Sequence, residues 1–167
     1  MESTVTRIST AETSALFEDV LNAGLDLQLK VTGRSMVPFL KGGEIITIKK
    51  VSCSSLRKGD LVFFKTSCGS PVLHRLINKE RGHNNTFIFR TKGDALRSFD
   101  EPVSGDDVLG KVLKIEKVVS HGKTQSIDME SHVWRKINIL IALTAIIKSK
   151  AYSATRRIYR IRQYFFP

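Results

Sequence analysis

Residues 61–77 read LVFFKTSCGSPVLHRLI, and this stretch decides the class of fold. Two runs of apolar, β-prone residues, 61–64 and 72–77, are separated by a loop that contains serine, glycine and proline. Short apolar runs bounded by such residues are typical of strands buried in a sheet. The stretch therefore predicts a β-hairpin.

Strand signals recur on both sides of this hairpin. They occupy four further segments: 25–31, 45–48, 86–91 and 108–119. In the last of these, Gly110 predicts a bulge or a close backbone contact. Residues 95–107 and 120–131 lack periodicity and are predicted to be loops. Many strands at short spacing, with only one early helix, indicate a mainly β protein with a folded or barrel-like sheet.

The early helix is predicted near the N-terminus. Ser9 and Glu12 form a capping-box signature, apolar residues then recur at helical spacing, and Gly24 supplies a stop. No apolar run follows the first charges, so this end predicts neither a secretory signal nor a membrane anchor. Cys53 and Cys68 lack the spacing of a metal or redox site. We expect both to be free thiols, with a single surface disulfide as the alternative.

The net charge of +11 comes mostly from a C-terminal tail, residues 131–167, which we predict to be separate from a β domain at 1–130. The tail has no acidic residue and eight basic ones: Arg135, Lys136, Lys148, Lys150, Arg156, Arg157, Arg160 and Arg162. Its apolar run, 137–147, is shorter than the ~20 residues that span a bilayer, and 148–167 has the pattern of a basic amphipathic helix. We expect 137–167 to contact an anionic membrane. The alternatives are docking on the β domain, dimerisation and RNA binding.

The candidate catalytic residues begin with Ser35, which lies between a strand and Pro38, where the chain must turn. A serine hydroxyl needs a base to accept its proton, and histidine is a common choice. Of the four histidines, only His74 lies within an apolar strand. Asp94 and Asp100 follow in a later loop. Each of these residues alone is more often structural than catalytic.

Their order along the chain is more informative. Four motifs occur in sequence: GRSMVPFL at 33–40, GDLVFF at 59–64, HRLI at 74–77, and TKGD at 91–94, with Asp100 following. This set resembles type I signal peptidases over roughly residues 25–119, and most closely their endoplasmic-reticulum and archaeal branch, which uses a Ser-His pair.

The resemblance implies roles for the candidate residues. Ser35 would be the nucleophile and His74 the general base, with one of the two aspartates orienting the imidazole. Asp100 is favoured for this role and Asp94 for a structural one, and the opposite assignment stays open. The backbone N–H of Ser35 is a natural oxyanion donor. Gly33, Met36 and Pro38 would lie in the substrate and oxyanion region. No metal or cofactor is expected.

The expected function is that of a serine endopeptidase that removes a leader from a dedicated peptide or protein precursor. The absence of an N-terminal anchor predicts a peripheral protein on the cytoplasmic side of a membrane, with a soluble cytoplasmic protein as the alternative. Two other functions stay open: a non-catalytic peptide-binding module, and a LexA-type self-cleaving regulator. No specific nucleic acid is expected as a partner.

Overall fold

The computed structural model describes residues 10–82, 86–119 and 123–165, and for 10, 11 and 149–165 it describes the helical backbone alone. In chain order the elements are α1 (Thr10–Asn22), β1 (Leu27–Lys30), β2 (Ile45–Lys49), β3 (Leu61–Lys65), β4 (Pro71–Arg81), β5 (Phe87–Lys92), β6 (Val103–Ser104), β7 (Val108–Val118), β8 (Thr124–Asp128) and α2 (His132–Phe165). Short 3₁₀ turns occupy Cys53–Ser55 and Gly105–Asp107.

These eight strands form one antiparallel sheet that curls into a half-barrel, which confirms the predicted fold class. The strand order is β1-β2-β7-β3-β4-β5-β6, and β8 pairs with β7. The predicted hairpin is β3–β4, in which Val62 pairs with His74. The sheet thus carries His74 in an inner strand, β4, which pairs with β3 on one side and with β5 on the other.

Gly110 marks a close backbone approach, as predicted. A Cβ at this position would lie 2.6 Å from the backbone oxygen of Lys49 in β2. The pairing of β7 with β3 also shifts register between Phe63 and Phe64, next to this glycine. A side chain larger than hydrogen would therefore force β2 and β7 apart.

The larger apolar cluster holds the segment between β1 and β2 against the sheet. In that segment, Met36 and Leu40 are buried, at 2% and 0% exposure. They pack with residues of the sheet such as Ile48 and Phe63. This packing fixes the turn that contains Ser35 at both of its ends.

Helix α1 covers one side of the same cluster. Leu21 is buried in it, and Glu18 forms an ion pair of 2.7 Å with Lys65 of β3. The helix stops at Gly24, which has a φ of +77° and donates a hydrogen bond to Leu21, as the sequence predicts. Ser9, the predicted cap, lies outside the described residues.

Helix α2 begins at His132 and packs on β4. Its inward residues Asn138, Ala142 and Ala145 are buried. The backbone of Asn138 comes so close to Gly59 that a Cβ there would lie 2.7 Å from its carbonyl carbon. The small side chains and this glycine let the helix approach the sheet closely.

Three details differ from the sequence expectations. Residues 120–131 were predicted to be a loop, but they contain β8. The loop at 95–107 contains the two-residue strand β6. The apolar run and the amphipathic segment of the tail form one continuous helix, and it starts before the run.

Both cysteines are free; Cys53 is half-buried and Cys68 is exposed. Within the described part of the chain, no helix combines the length and the apolar character needed to cross a membrane.

Candidate active site

Ser35 lies in a tight turn after β1. Val37 donates a hydrogen bond to the oxygen of Arg34 at 3.2 Å, and Leu40 donates to Met36 at 2.9 Å. The Val37–Pro38 peptide bond is cis. Ser35 itself is half-buried between the exposed Arg34 and the buried Met36. The turn therefore holds the serine at the surface of the domain without leaving it fully in solvent.

Gly93 brings this turn against the end of β5. A Cβ at Gly93 would lie 2.8 Å from the backbone oxygen of Ser35, a distance that no other residue type tolerates without a shift. The same oxygen accepts a hydrogen bond from the N–H of Ala95 at 2.8 Å. In the sheet, Lys92 pairs with Arg75. Because the two strands are antiparallel, the next residue, Gly93, lies beside the backbone of His74. Gly93 thus links the backbone of Ser35 to the strand end beside His74.

His74 and Asp100 form a buried pair. The His74 Nδ1 lies 2.8 Å from Oδ2 of Asp100, and His74 is only 6% exposed. Thr91 donates its hydroxyl to the same Oδ2 at 2.7 Å. The Asp100 N–H also donates to the backbone oxygen of Thr91 at 3.0 Å. The carboxylate is thus held in one orientation by β5 as well as by the imidazole.

The ionisation of Asp100 determines the tautomer of His74. Burial by itself raises the pKa of the Asp100 carboxyl, but hydrogen bonds from His74 and Thr91, together with the nearby charges of His74 and Lys92, leave the pKa below its usual value. An ionised carboxylate can only accept hydrogen bonds, so Nδ1 of His74 must carry a proton. In the neutral imidazole, Nε2 is then the nitrogen with a free lone pair, the form that a general base requires.

Asp94 has a different partner. Its two carboxylate oxygens accept from Nε and Nη2 of Arg75 at 2.8 and 2.7 Å. Nη1 of Arg75 donates to the backbone oxygen of Gly59 at 3.0 Å and to Oδ1 of Asn138 at 2.7 Å. Arg75 is fully buried, and its guanidinium lies 4.8 Å from the centre of the Phe39 ring. Asp94 therefore neutralises a buried arginine that also binds α2.

Asp94 and Asp100 lie on opposite faces of the sheet because their partners, Arg75 and His74, are consecutive in β4. Neighbouring side chains in a strand point to opposite faces of the sheet. The loop after β5 therefore sends Asp94 to the face of Arg75 and Asp100 to the face of His74.

Lys92 is a buried basic residue for which the sequence indicates no role. It is 2% exposed, and its Nζ donates to the oxygen of Gly93 at a long 3.4 Å. Burial lowers the pKa of its ammonium group, while Asp94 and Asp100 oppose that shift. In the sequence, Lys92 directly precedes Gly93 at the end of a predicted strand, a context that does not by itself indicate burial. Thr91 and Arg75 were likewise quoted within motifs without a role.

Two cavities lie beside these groups. The first, of about 390 Å³, is lined by Ser35 and by mostly apolar side chains that include Phe17 of α1, Met36 and Leu73. The second, of about 340 Å³, is lined by His74, Asp100 and neighbouring residues. Val72 lines both cavities, so the cavity beside Ser35 and the cavity beside His74 are neighbours.

The remaining residues of the predicted substrate region divide between two places. Gly33 and Met36 line the Ser35 cavity. Pro38 lines a separate cavity against α2, together with Phe39 and Ile141. The structure thus gathers Gly33 and Met36 around Ser35 and turns Pro38 towards α2.

The fold and the site define a class: a mainly β protein with a turn serine, an adjoining apolar cavity and a buried His-Asp pair. Comparison with known proteins gives a partial match to a curated sequence. The chain is 33% identical over 89 residues to signal peptidase I W of Bacillus subtilis. The match covers 51% of this chain and 45% of the relative, so the chain spans about half of that protein. No family model matches. The similarity supports a relationship to signal peptidase I at the level of the family.

Proposed function

We propose that this chain is a serine endopeptidase of the signal peptidase type, with Ser35 as nucleophile, His74 as general base and Asp100 as its orienting carboxylate. The similarity to a signal peptidase supports a peptide-bond hydrolase. The assignment to the Ser-His branch is our own. It is supported by the order of the motifs along the chain and by the contact between His74 and Asp100.

The observation that carries the proposal is the contact of 2.8 Å between His74 and Asp100. A carboxylate that accepts from Nδ1 is the arrangement that directs the free lone pair of Nε2 towards a nucleophile. Gly93 brings the backbone of Ser35 to the strand end next to this histidine.

The reaction follows from these groups. His74 removes the proton of the Ser35 hydroxyl as its oxygen attacks a peptide carbonyl. The imidazolium, stabilised by Asp100, then gives that proton to the leaving amine. In the second half, His74 activates a water molecule that hydrolyses the acyl-serine ester and regenerates the hydroxyl.

The cavity next to Ser35 indicates the kind of peptide that is cleaved. Its lining is mostly apolar and includes Phe17, Met36 and Leu73. Such a cavity binds uncharged apolar side chains and excludes charged ones, which would lose their hydration there. We propose that the substrate is a leader on a dedicated precursor, with an apolar side chain close to the cleaved bond.

The experiment is cleavage of a defined mixture of synthetic peptides, read by mass spectrometry. Wild type should produce specific fragments, and Ser35→Ala and His74→Ala should not. Ser126→Ala, on the exposed part of β8, and His132→Ala, at the exposed start of α2, are matched controls that should cleave normally. If Ser35→Ala or His74→Ala cleaves like wild type, the mechanism is wrong.

The same samples separate the two other functions. A non-catalytic module would yield no fragments with any variant while still binding peptides. A self-cleaving regulator would cut its own chain on incubation, and the cut would disappear in Ser35→Ala. We consider both less well supported, because neither calls for an apolar cavity beside the serine together with a buried His-Asp pair.

A further inference from the structure

The outer face of α2 carries a row of exposed apolar side chains. Val133, Leu140, Leu143 and Ile147 are 65%, 61%, 42% and 68% exposed, and we call them the outer stripe. Along the chain they are separated by seven, three and four residues, which places them on one side of a helix. Large apolar side chains in such a row are unusual on a protein surface unless a partner covers them.

The opposite face of the helix is already used by the domain. Asn138 is 4% exposed and accepts a hydrogen bond from the buried Arg75. Ala142 and Ala145 are buried against Ile77 of β4. Rotating α2 to bury the outer stripe on the sheet would therefore break the bond between Asn138 and Arg75. The stripe must face away from the domain.

The charges of the tail indicate what the partner is. Lys136 is exposed near the stripe, and residues 131–167 contain eight basic residues and no acidic one. Two copies paired through this helix would bring together like charges on both sides. An anionic lipid surface would instead attract these basic residues, and each Lys or Arg near the surface would contribute to the free energy of binding.

We propose that α2 is an interfacial helix, whose outer stripe inserts into the headgroup region of an anionic bilayer while its basic residues contact lipid phosphates. A basic helix with an apolar row is the composition that binds in this way without crossing the membrane. The proposal concerns binding and does not depend on catalysis. It holds or fails whether or not Ser35 is a nucleophile.

The experiment is sedimentation of the full chain with vesicles. Wild type should bind vesicles of phosphatidylglycerol and phosphatidylcholine, bind pure phosphatidylcholine weakly, and lose binding as salt rises. The double variant Leu140→Gln with Ile147→Gln should reduce binding about tenfold, because two buried apolar side chains are lost from the interface.

The matched control replaces two exposed apolar residues of the β domain, Leu25→Gln with Val118→Gln, which are 60% and 75% exposed in wild type. It should bind like wild type. A tail variant with Arg156, Arg157, Arg160 and Arg162 all changed to Gln should show a weaker dependence on salt.

Three results would overturn the proposal. In the first, wild type does not bind the anionic vesicles. In the second, the outer-stripe variant binds as well as wild type, or the control loses as much binding. In the third, light scattering shows a dimer that the outer-stripe variant converts to monomer, which would make a second copy the partner of this face.

Discussion

Asp94 binds Arg75 and Asp100 binds His74, so we expect removal of the Asp94 carboxylate to lower stability and removal of the Asp100 carboxylate to lower activity. In Asp94→Ala, the guanidinium of Arg75 loses two charge-assisted hydrogen bonds, of 2.8 and 2.7 Å, while it stays fully buried. The Asp94 side chain is itself only 4% exposed, so solvent cannot replace it. Removing one partner of such a pair costs about 3–5 kcal/mol of the free energy of unfolding. For a chain of this size, the melting temperature should fall by roughly 6–20 °C.

Asp100→Asn should leave the fold intact and remove activity. The carboxylate is 20% exposed, and an amide of the same shape preserves much of its packing. The amide cannot hold the proton on Nδ1 of His74 with the same preference, and it does not stabilise the imidazolium. In Ser-His-Asp sites this change lowers kcat by about 10⁴-fold, and we expect a loss of about 10³- to 10⁴-fold here.

The assay combines thermal unfolding, followed by circular dichroism, with peptide cleavage at a temperature where every variant is folded. Asp26→Ala is the control, since that carboxylate is 50% exposed and forms only a surface ion pair. The reasoning is refuted if Asp94→Ala melts at the wild-type temperature, or if Asp100→Asn retains wild-type turnover.

Three further predictions concern the same site. Gly93→Ala should lower turnover about a hundredfold, because a Cβ 2.8 Å from the backbone oxygen of Ser35 displaces the serine turn; unchanged kinetics would contradict this contact. Phe17→Ala should widen the cavity beside Ser35 and shift cleavage towards bulkier side chains, whereas Leu16→Ala, on the exposed side of α1, should leave the peptide profile unchanged. Finally, because the pKa of Asp100 is lowered in the folded state, its ionised form stabilises the protein above the ordinary aspartate range, and that stability is lost as the pH falls through the folded value. Urea unfolding should therefore show a difference between wild type and Asp100→Asn at neutral pH that shrinks in acid.

The strands that were predicted correctly are those with many apolar residues. The hairpin β3–β4 and the long strand β7 have dense β-prone runs, and their sequences suffice to identify them. Strand β8, TQSID, has one apolar residue, Ile127, and this is its only buried side chain. It forms because backbone pairing with β7 is available, and that pairing is not visible in local periodicity.

The candidate site was predictable as a set of residues but not as a geometry. Ser35, His74 and the two aspartates were candidates from their positions in the sequence, and the resemblance implied their roles. Those catalytic roles stay predictions. Which aspartate meets the histidine depends on the path of the loop after β5, which no local pattern encodes. The buried Lys92 escaped for a similar reason, since a lysine is expected at the surface until the strand that carries it is seen to be covered.

The chain contains a single tryptophan, and its position makes it a natural optical reporter. Trp134, in the first turn of α2, meets the ring of Phe39 edge to face at 6.1 Å, and Phe39 lies four residues after Ser35 in the same turn. Its indole is half-buried between the helix and that turn. The intrinsic fluorescence of the unlabelled protein would therefore respond to changes in helix docking, because the tryptophan contacts the turn that contains Ser35.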